Sequence, residues 1–170
     1  MTATHISRRG FLRTVVVTGG LFVGGALVAA CGGGESAPTQ APAASGAPVT
    51  LEIGSKGDAL EYDKTSFEVP AGSKVTLNFK NNASPGSGVY HNWVLVRPGT
   101  IDAVAADGIA AGEANDYLKP NDNRVIAHTK LAKEGETVSV TFDAPAPGTY
   151  DFLCTFPGHA TLMRGKFIVK

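Results

Sequence analysis

Two stretches, Val75-Thr76-Leu77-Asn78-Phe79 and Val138-Ser139-Val140-Thr141-Phe142, alternate apolar and polar residues without a break. Successive side chains of an extended strand point to opposite faces, so each stretch buries one face and wets the other. From Val49 onward, further short runs of β-branched and aromatic residues alternate with turn residues, the pattern of an antiparallel sandwich. Strands are expected over 49–53, 66–69, 74–79, 92–96, 137–142, 148–154 and 166–169. The fold class is therefore all-β. The exception is 100–118, where Ile101, Val104 and several alanines sit at helical spacing around Asp107-Gly108. One or two short helices broken at Asp107-Gly108 are expected there, ending before Pro120 and flanking the sandwich.

The 170 residues provide for one core of this kind. Residues 1–30 are set apart as an export signal. Ser7-Arg8-Arg9-Gly10-Phe11-Leu12 has the twin-arginine form, an apolar run follows from Val15 to Ala30, and Val28-Ala29-Ala30-Cys31 resembles a lipobox. On this reading Cys31 is a lipidation site and becomes the new N-terminus. The alternative is a retained membrane helix, against which count the length of the run and its interruption by Gly19, Gly20, Gly24 and Gly25. Either arrangement places the domain at the outer face of the cytoplasmic membrane. Residues 31–48 hold the anchor cysteine and a Gly/Ala/Pro/Ser-rich linker. The third segment, 49–170, is the folded domain.

Zero formal charge hides an asymmetry: Arg8, Arg9 and Arg13 precede Cys31 and no acidic residue does, leaving 12 basic against 15 acidic side chains beyond it. A net charge of −3 there argues against nucleic acid as a partner.

Near the C-terminus the chain carries Cys154-Thr155-Phe156-Pro157-Gly158-His159-Ala160-Thr161-Leu162-Met163, with His91 upstream in Tyr90-His91-Asn92-Trp93. The spacing C-x4-H-x3-M is too short for separate secondary elements, so a turn at Pro157-Gly158 must aim the three side chains together. Apart from Met1, Met163 is the only methionine; apart from Cys31, Cys154 is the only cysteine. Two imidazoles, one thiolate and a weak axial thioether make a blue-copper donor set, which carries one electron at a time. His91, Cys154 and His159 are the expected strong ligands to one copper ion, with Met163 axial. A His2Cys set also suits zinc, and copper rests on the methionine and the affinity order. Asn92, Thr155 and Phe156 adjoin ligands and are positioned to brace the two loops or to direct N–H groups at the sulfur. His128, with no cysteine or histidine near it in sequence, reads as a surface residue.

His91-Asn92-Trp93-Val94-Leu95 and Cys154-Thr155-Phe156-Pro157-Gly158-His159 resemble the ligand loops of the azurin-like blue copper proteins, the cupredoxins. So do Asp116-Tyr117-Leu118-Lys119-Pro120 and Arg124-Val125-Ile126-Ala127-His128-Thr129-Lys130. The resemblance implies a cupredoxin-type Greek-key sandwich of seven to eight strands with a short helical insertion, one type 1 copper and no catalysis on a substrate. It also implies binding through Nδ1 of both histidines, Trp93 in the core, and an apolar patch beside His159 where electrons leave. Azurins have glycine before the first histidine, its carbonyl approaching the metal; here Tyr90 stands in that place, as a weak backbone contact. The azurin disulfide cannot form with only Cys31 and Cys154 present.

By the same resemblance the expected role is a monomeric shuttle between membrane redox complexes in a photosynthetic or respiratory chain. Its donor would be a quinol-oxidising complex and its acceptor a cytochrome c of a reaction centre or a terminal oxidase. The competing roles are a copper enzyme, which needs further histidines, and a membrane-anchored copper delivery or storage module, which needs several exposed methionines or cysteines.

Overall fold

The computed structural model describes residues 46–170. The export signal, the Cys31 anchor and the linker as far as residue 45 lie outside the described residues. Eight strands and one α-helix follow in order: β1 (Val49–Gly54), β2 (Ser66–Val69), β3 (Lys74–Lys80), β4 (Val94–Val96), α1 (Ile101–Ala111), β5 (Val125–His128), β6 (Thr137–Asp143), β7 (Gly148–Leu153) and β8 (Arg164–Val169). They form a three-stranded sheet, β1-β3-β6, and a five-stranded sheet, β2-β8-β7-β4-β5. Two neighbouring pairs, β1 with β3 and β2 with β8, are parallel; the others are antiparallel.

The alternation that defines β3 and β6 sets their register. Val75, Leu77 and Phe79 lie opposite Phe142, Val140 and Val138 and point into the core. On the wet face Thr76 meets Thr141 at 3.1 Å, Ser139 donates to Asn78 at 2.6 Å and Lys74 pairs with Asp143 at 2.7 Å. Cross-strand pairs of this kind contribute roughly 0.2–1 kcal/mol each. Between the sheets Trp93, fully buried, meets Phe142, Phe152 and Phe167 at ring separations of 5.9, 5.8 and 6.3 Å.

In β4 all three residues are buried, because one face meets the inter-sheet core and the other is covered by α1. Val94 and Val96 pack with Val104, Leu118 and Leu153 in a second apolar cluster. A strand buried on both faces reads as a continuous apolar run, which explains why alternation fails there.

Three expectations are corrected. Strand β5 was not anticipated: it has four residues, one of them fully inward, and exists because it pairs with β4. Strand β4 starts at Val94 rather than at residue 92, since the Trp93 N–H leaves the ladder and donates to Thr129 Oγ1 at 3.0 Å. The helix is not broken at Asp107-Gly108. It runs through Gly108, whose missing side chain lets the Tyr117 carbonyl pass against the helix.

Candidate metal centre

The loop from β7 to β8 curls as its spacing demands. Gly158 takes the left-handed backbone, φ 83°, that a side chain resists, and a short 3₁₀ turn follows at His159–Thr161. Three main-chain bonds close the loop: His159 N–H to the Phe156 carbonyl at 3.0 Å, Met163 N–H to the His159 carbonyl at 2.8 Å, and Cys154 N–H to the Met163 carbonyl at 2.9 Å. Cys154 and Met163 are thus neighbours across the base of the loop, both fully buried.

His91 is delivered by a different device. Its main chain pairs with Ala132 in both directions, at 3.2 and 2.7 Å. The buried Asn81 side chain reinforces this link, donating to the Ala132 carbonyl at 3.1 Å and to the Val89 carbonyl at 2.9 Å. Asn81 Oδ1 accepts from Ser55 Oγ at 3.2 Å and from Ala83 N–H at 3.0 Å. The sequence reading missed Asn81. A signal was present: inward positions of β3 run Val75, Leu77, Phe79, and the next on that face is this polar residue.

These loops bring His91, Cys154 and His159 together, all buried, although His91 and Cys154 are 63 positions apart. Nδ1 of His91 lies 3.1 Å from Nδ1 of His159, and the Cys154 sulfur lies 3.8 and 3.6 Å from those nitrogens. One point in the plane of the three atoms is about 2.0 Å from each, within the range of metal–nitrogen bonds and a little short of metal–sulfur bonds. Both Nδ1 atoms converge on that point, so a metal ion fits the donor set.

Electrostatics agrees with the geometry. Burial, then the neighbouring His159, pushes the His91 imidazole down to about 4, and burial lowers His159 as well. Both shifts favour the neutral ring, the form of imidazole that binds a metal. Burial pushes the Cys154 thiol up to about 12, against the opposing pull of the main-chain N–H groups of Asn92 and Phe156. A thiolate at this place needs a cation beside it, and binding a metal must expel the thiol proton.

Around the triangle, Asn92 ties the two ligand loops. Its side-chain NH2 donates to Thr155 Oγ1 at 2.8 Å and to the Asp116 carbonyl at 2.9 Å; its Oδ1 accepts from Thr155 N–H at 2.9 Å. The Phe156 ring packs against His159 at 4.7 Å, Tyr117 at 5.1 Å and Tyr90 at 6.3 Å. The 100–118 insertion, whose role could not be read in sequence, thus braces the site. Asp116 and Tyr117 both hold left-handed backbone, φ 54° and 53°, a cost of about 1–3 kcal/mol per residue. That turn aims the Asp116 carbonyl at Asn92 and its carboxylate at Leu131 N–H, 3.0 Å away. Exposed His128 is absent from the triangle. Of the two histidines, His91 is fully buried and His159 keeps 6% exposure, beside a shallow groove lined by Ala105, Ile109, Phe156 and Ala160. The two large exposed apolar residues among those described, Ile109 and Leu162, belong to α1 and to this same loop.

Comparison with known proteins bears on what such a centre holds. Residues 49–170 match the family described as copper binding proteins, plastocyanin/azurin family. The chain is 49% identical over 147 residues to auracyanin-A of Chloroflexus aurantiacus, covering 85% of this chain and 89% of that protein. It is 46% identical over 113 residues to azurin of Bordetella pertussis, covering 64% and 75%. Among solved structures, auracyanin A, a blue copper protein of Chloroflexus aurantiacus, superposes with TM-score 0.67 at 50% identity over 72% of this chain and 99% of that one. Dithionite-reduced auracyanin of Roseiflexus castenholzii gives TM-score 0.66 at 42% identity over 74% and 99%.

Proposed function

Since this chain belongs to the plastocyanin/azurin family of copper-binding proteins, we propose that His91, Cys154 and His159 would hold one copper ion as its strong ligands, with Met163 as a weaker one. The protein is a blue copper cupredoxin, an electron carrier. Bound copper supplies a reversible one-electron couple between Cu(I) and Cu(II). The observation that carries the ligand assignment is the triangle itself, two neutral imidazole nitrogens and one sulfur converging on a single buried point.

The residues around it explain how the site serves transfer. Main-chain closure of the Cys154 loop and the Asn92 ties hold the donors in place, so little need move when charge changes. Buried Phe79, Trp93 and Met163 keep water out. His159, at 6% exposure the less deeply buried of the two histidines, lies in the loop that carries Phe156 and the exposed Leu162. Electrons cross there, where a partner can approach without stripping charged groups of water.

The N-terminal features support a carrier exported through the twin-arginine route and held by lipid at Cys31 on the outer face of the membrane. The Gly/Ala/Pro/Ser-rich stretch over 32–48 would then serve as the linker between that anchor and the domain. Its partners are then membrane redox complexes, a quinol-oxidising donor and a cytochrome c or terminal-oxidase acceptor in a photosynthetic or respiratory chain.

The test is the absorption and electron-spin-resonance spectrum of the purified, copper-saturated, oxidised protein. An intense visible sulfur-to-copper band is expected, and Cys154→Ser loses it; a colourless parent, or a variant with an unchanged band, overturns the assignment. Cys31→Ala should abolish partition into membranes, and equal partition of parent and variant rules out the lipid anchor.

A further inference from the structure

Tyr62 lies between β1 and β2, in a segment that contributes none of the ligands discussed above. Its ring is 2% exposed and stands edge-on to Phe79 and Phe152, at 5.9 and 5.5 Å. Phe79 in turn meets the His91 ring edge-on at 6.4 Å. A phenylalanine would fill this aromatic slot equally well, so the hydroxyl is what needs a reason. It donates to the main-chain carbonyl of Asn92 at 2.7 Å. Asn92 is fully buried, so water is no substitute, and among the described residues no other donor meets that carbonyl.

Asn92 is thereby gripped from two sides. Its side chain is tied to Thr155 and Asp116, beside the Cys154 loop, and its carbonyl is tied to Tyr62. Its own N–H is one of the two main-chain groups whose pull on Cys154 opposes the effect of burial. We propose that Tyr62 is a positioning residue of the copper centre, its hydroxyl clamping the Asn92 main chain so that Asn92 stays fixed between the His91 and Cys154 loops. This rests on the copper reading above. The positive end of an N–H dipole at the sulfur withdraws negative charge from the metal, which favours the reduced, electron-rich state. Losing the clamp weakens that bias.

The experiment compares Tyr62→Phe with Ser73→Ala. Both remove one buried hydroxyl, but Ser73 Oγ donates to the Pro70 carbonyl at 2.7 Å, at the end of β3 remote from Asn81 and the His91 loop. In copper-loaded Tyr62→Phe the equilibrium with a one-electron reference couple should shift about two- to five-fold toward the oxidised form, a fraction of one hydrogen bond to a charged group. That is a fall of about 20–40 mV in midpoint potential at 59 mV per tenfold. In the metal-free protein, the Asn92 amide should exchange with deuterium faster in Tyr62→Phe than in the parent or in Ser73→Ala. An unchanged potential with unchanged Asn92 exchange overturns the proposal, as does a Ser73→Ala variant that shifts both as far. A colourless parent would defeat the copper reading instead, and the exchange measurement would still decide whether Tyr62 clamps Asn92.

Discussion

Replacing Asn92 by alanine deletes three hydrogen bonds at once, and their surroundings say what each loss costs. Thr155 is 1% exposed, so its N–H, which now donates to Asn92 Oδ1 at 2.9 Å, is left without an acceptor inside the protein. An orphaned buried donor costs about 1–3 kcal/mol. The Thr155 hydroxyl can rotate and the Asp116 carbonyl, on a half-buried residue, can take water, so those two losses together add about 1 kcal/mol. The expected destabilisation is about 2–4 kcal/mol, a large share of an ordinary native stability of about 5–15 kcal/mol. For a domain of this size each kcal/mol moves the unfolding midpoint by roughly 3–5 °C, giving a fall of about 6–20 °C. The assay is thermal unfolding of the metal-free protein, because bound copper would add its own stabilisation to the native state. Thr155→Ala, which loses the hydroxyl but keeps the N–H, should cost about 1 kcal/mol or less. The double variant should be less destabilised than the sum of the singles by about 0.5–1.5 kcal/mol, since they share a bond. An Asn92→Ala midpoint within about 2 °C of the parent, or strict additivity in the double variant, would refute the view that this side chain ties the two loops.

Met163→Gln should lower the midpoint potential, because a harder oxygen donor favours the oxidised ion; voltammetry showing no change or a rise counts against axial ligation. Arg124 holds the Asp122 carboxyl at about 2, through side-chain hydrogen bonds of 2.8 and 2.5 Å and a main-chain bond of 2.9 Å. Its folded value is depressed, so the stability it contributes is full above the ordinary carboxylate range and is lost as pH falls through about 2. Asp122→Asn should therefore flatten the acid limb of a stability-versus-pH curve, and a limb as steep as the parent's would exclude that ion pair as a contributor. Gly165→Ala places a methyl group against the Phe152 ring and the rigid Thr65 carbonyl; denaturant unfolding should show a loss of about 1–3 kcal/mol, and an unchanged midpoint would mean that β8 shifts freely.

Most of the sandwich was legible because alternation is a local property. Strands β3 and β6 each declare a buried face, and the structure pairs those faces in one register. What escaped was set by contacts between distant segments. Strand β5 is too short to show a period and is a strand only because β4 offers it an edge. Helix α1 continues through Gly108 because a carbonyl from a later turn needs the space a side chain would occupy. Asn81 and Tyr62 look like ordinary polar residues until the fold turns their hydrogen bonds toward the His91 loop.

The amino-acid order alone determined the kind of donors, two imidazoles, a thiol and a thioether, and the tight turn that gathers three of them, since composition and close spacing need no partner segment to be read. Only the tertiary structure decided that His91 would meet Cys154 and His159 in one buried triangle, with His159 the less deeply buried of the two histidines. Distances, burial and the protonation of each donor depend on which distant loops pack together, and packing of that kind follows from the balance of the whole core rather than from any one stretch of chain.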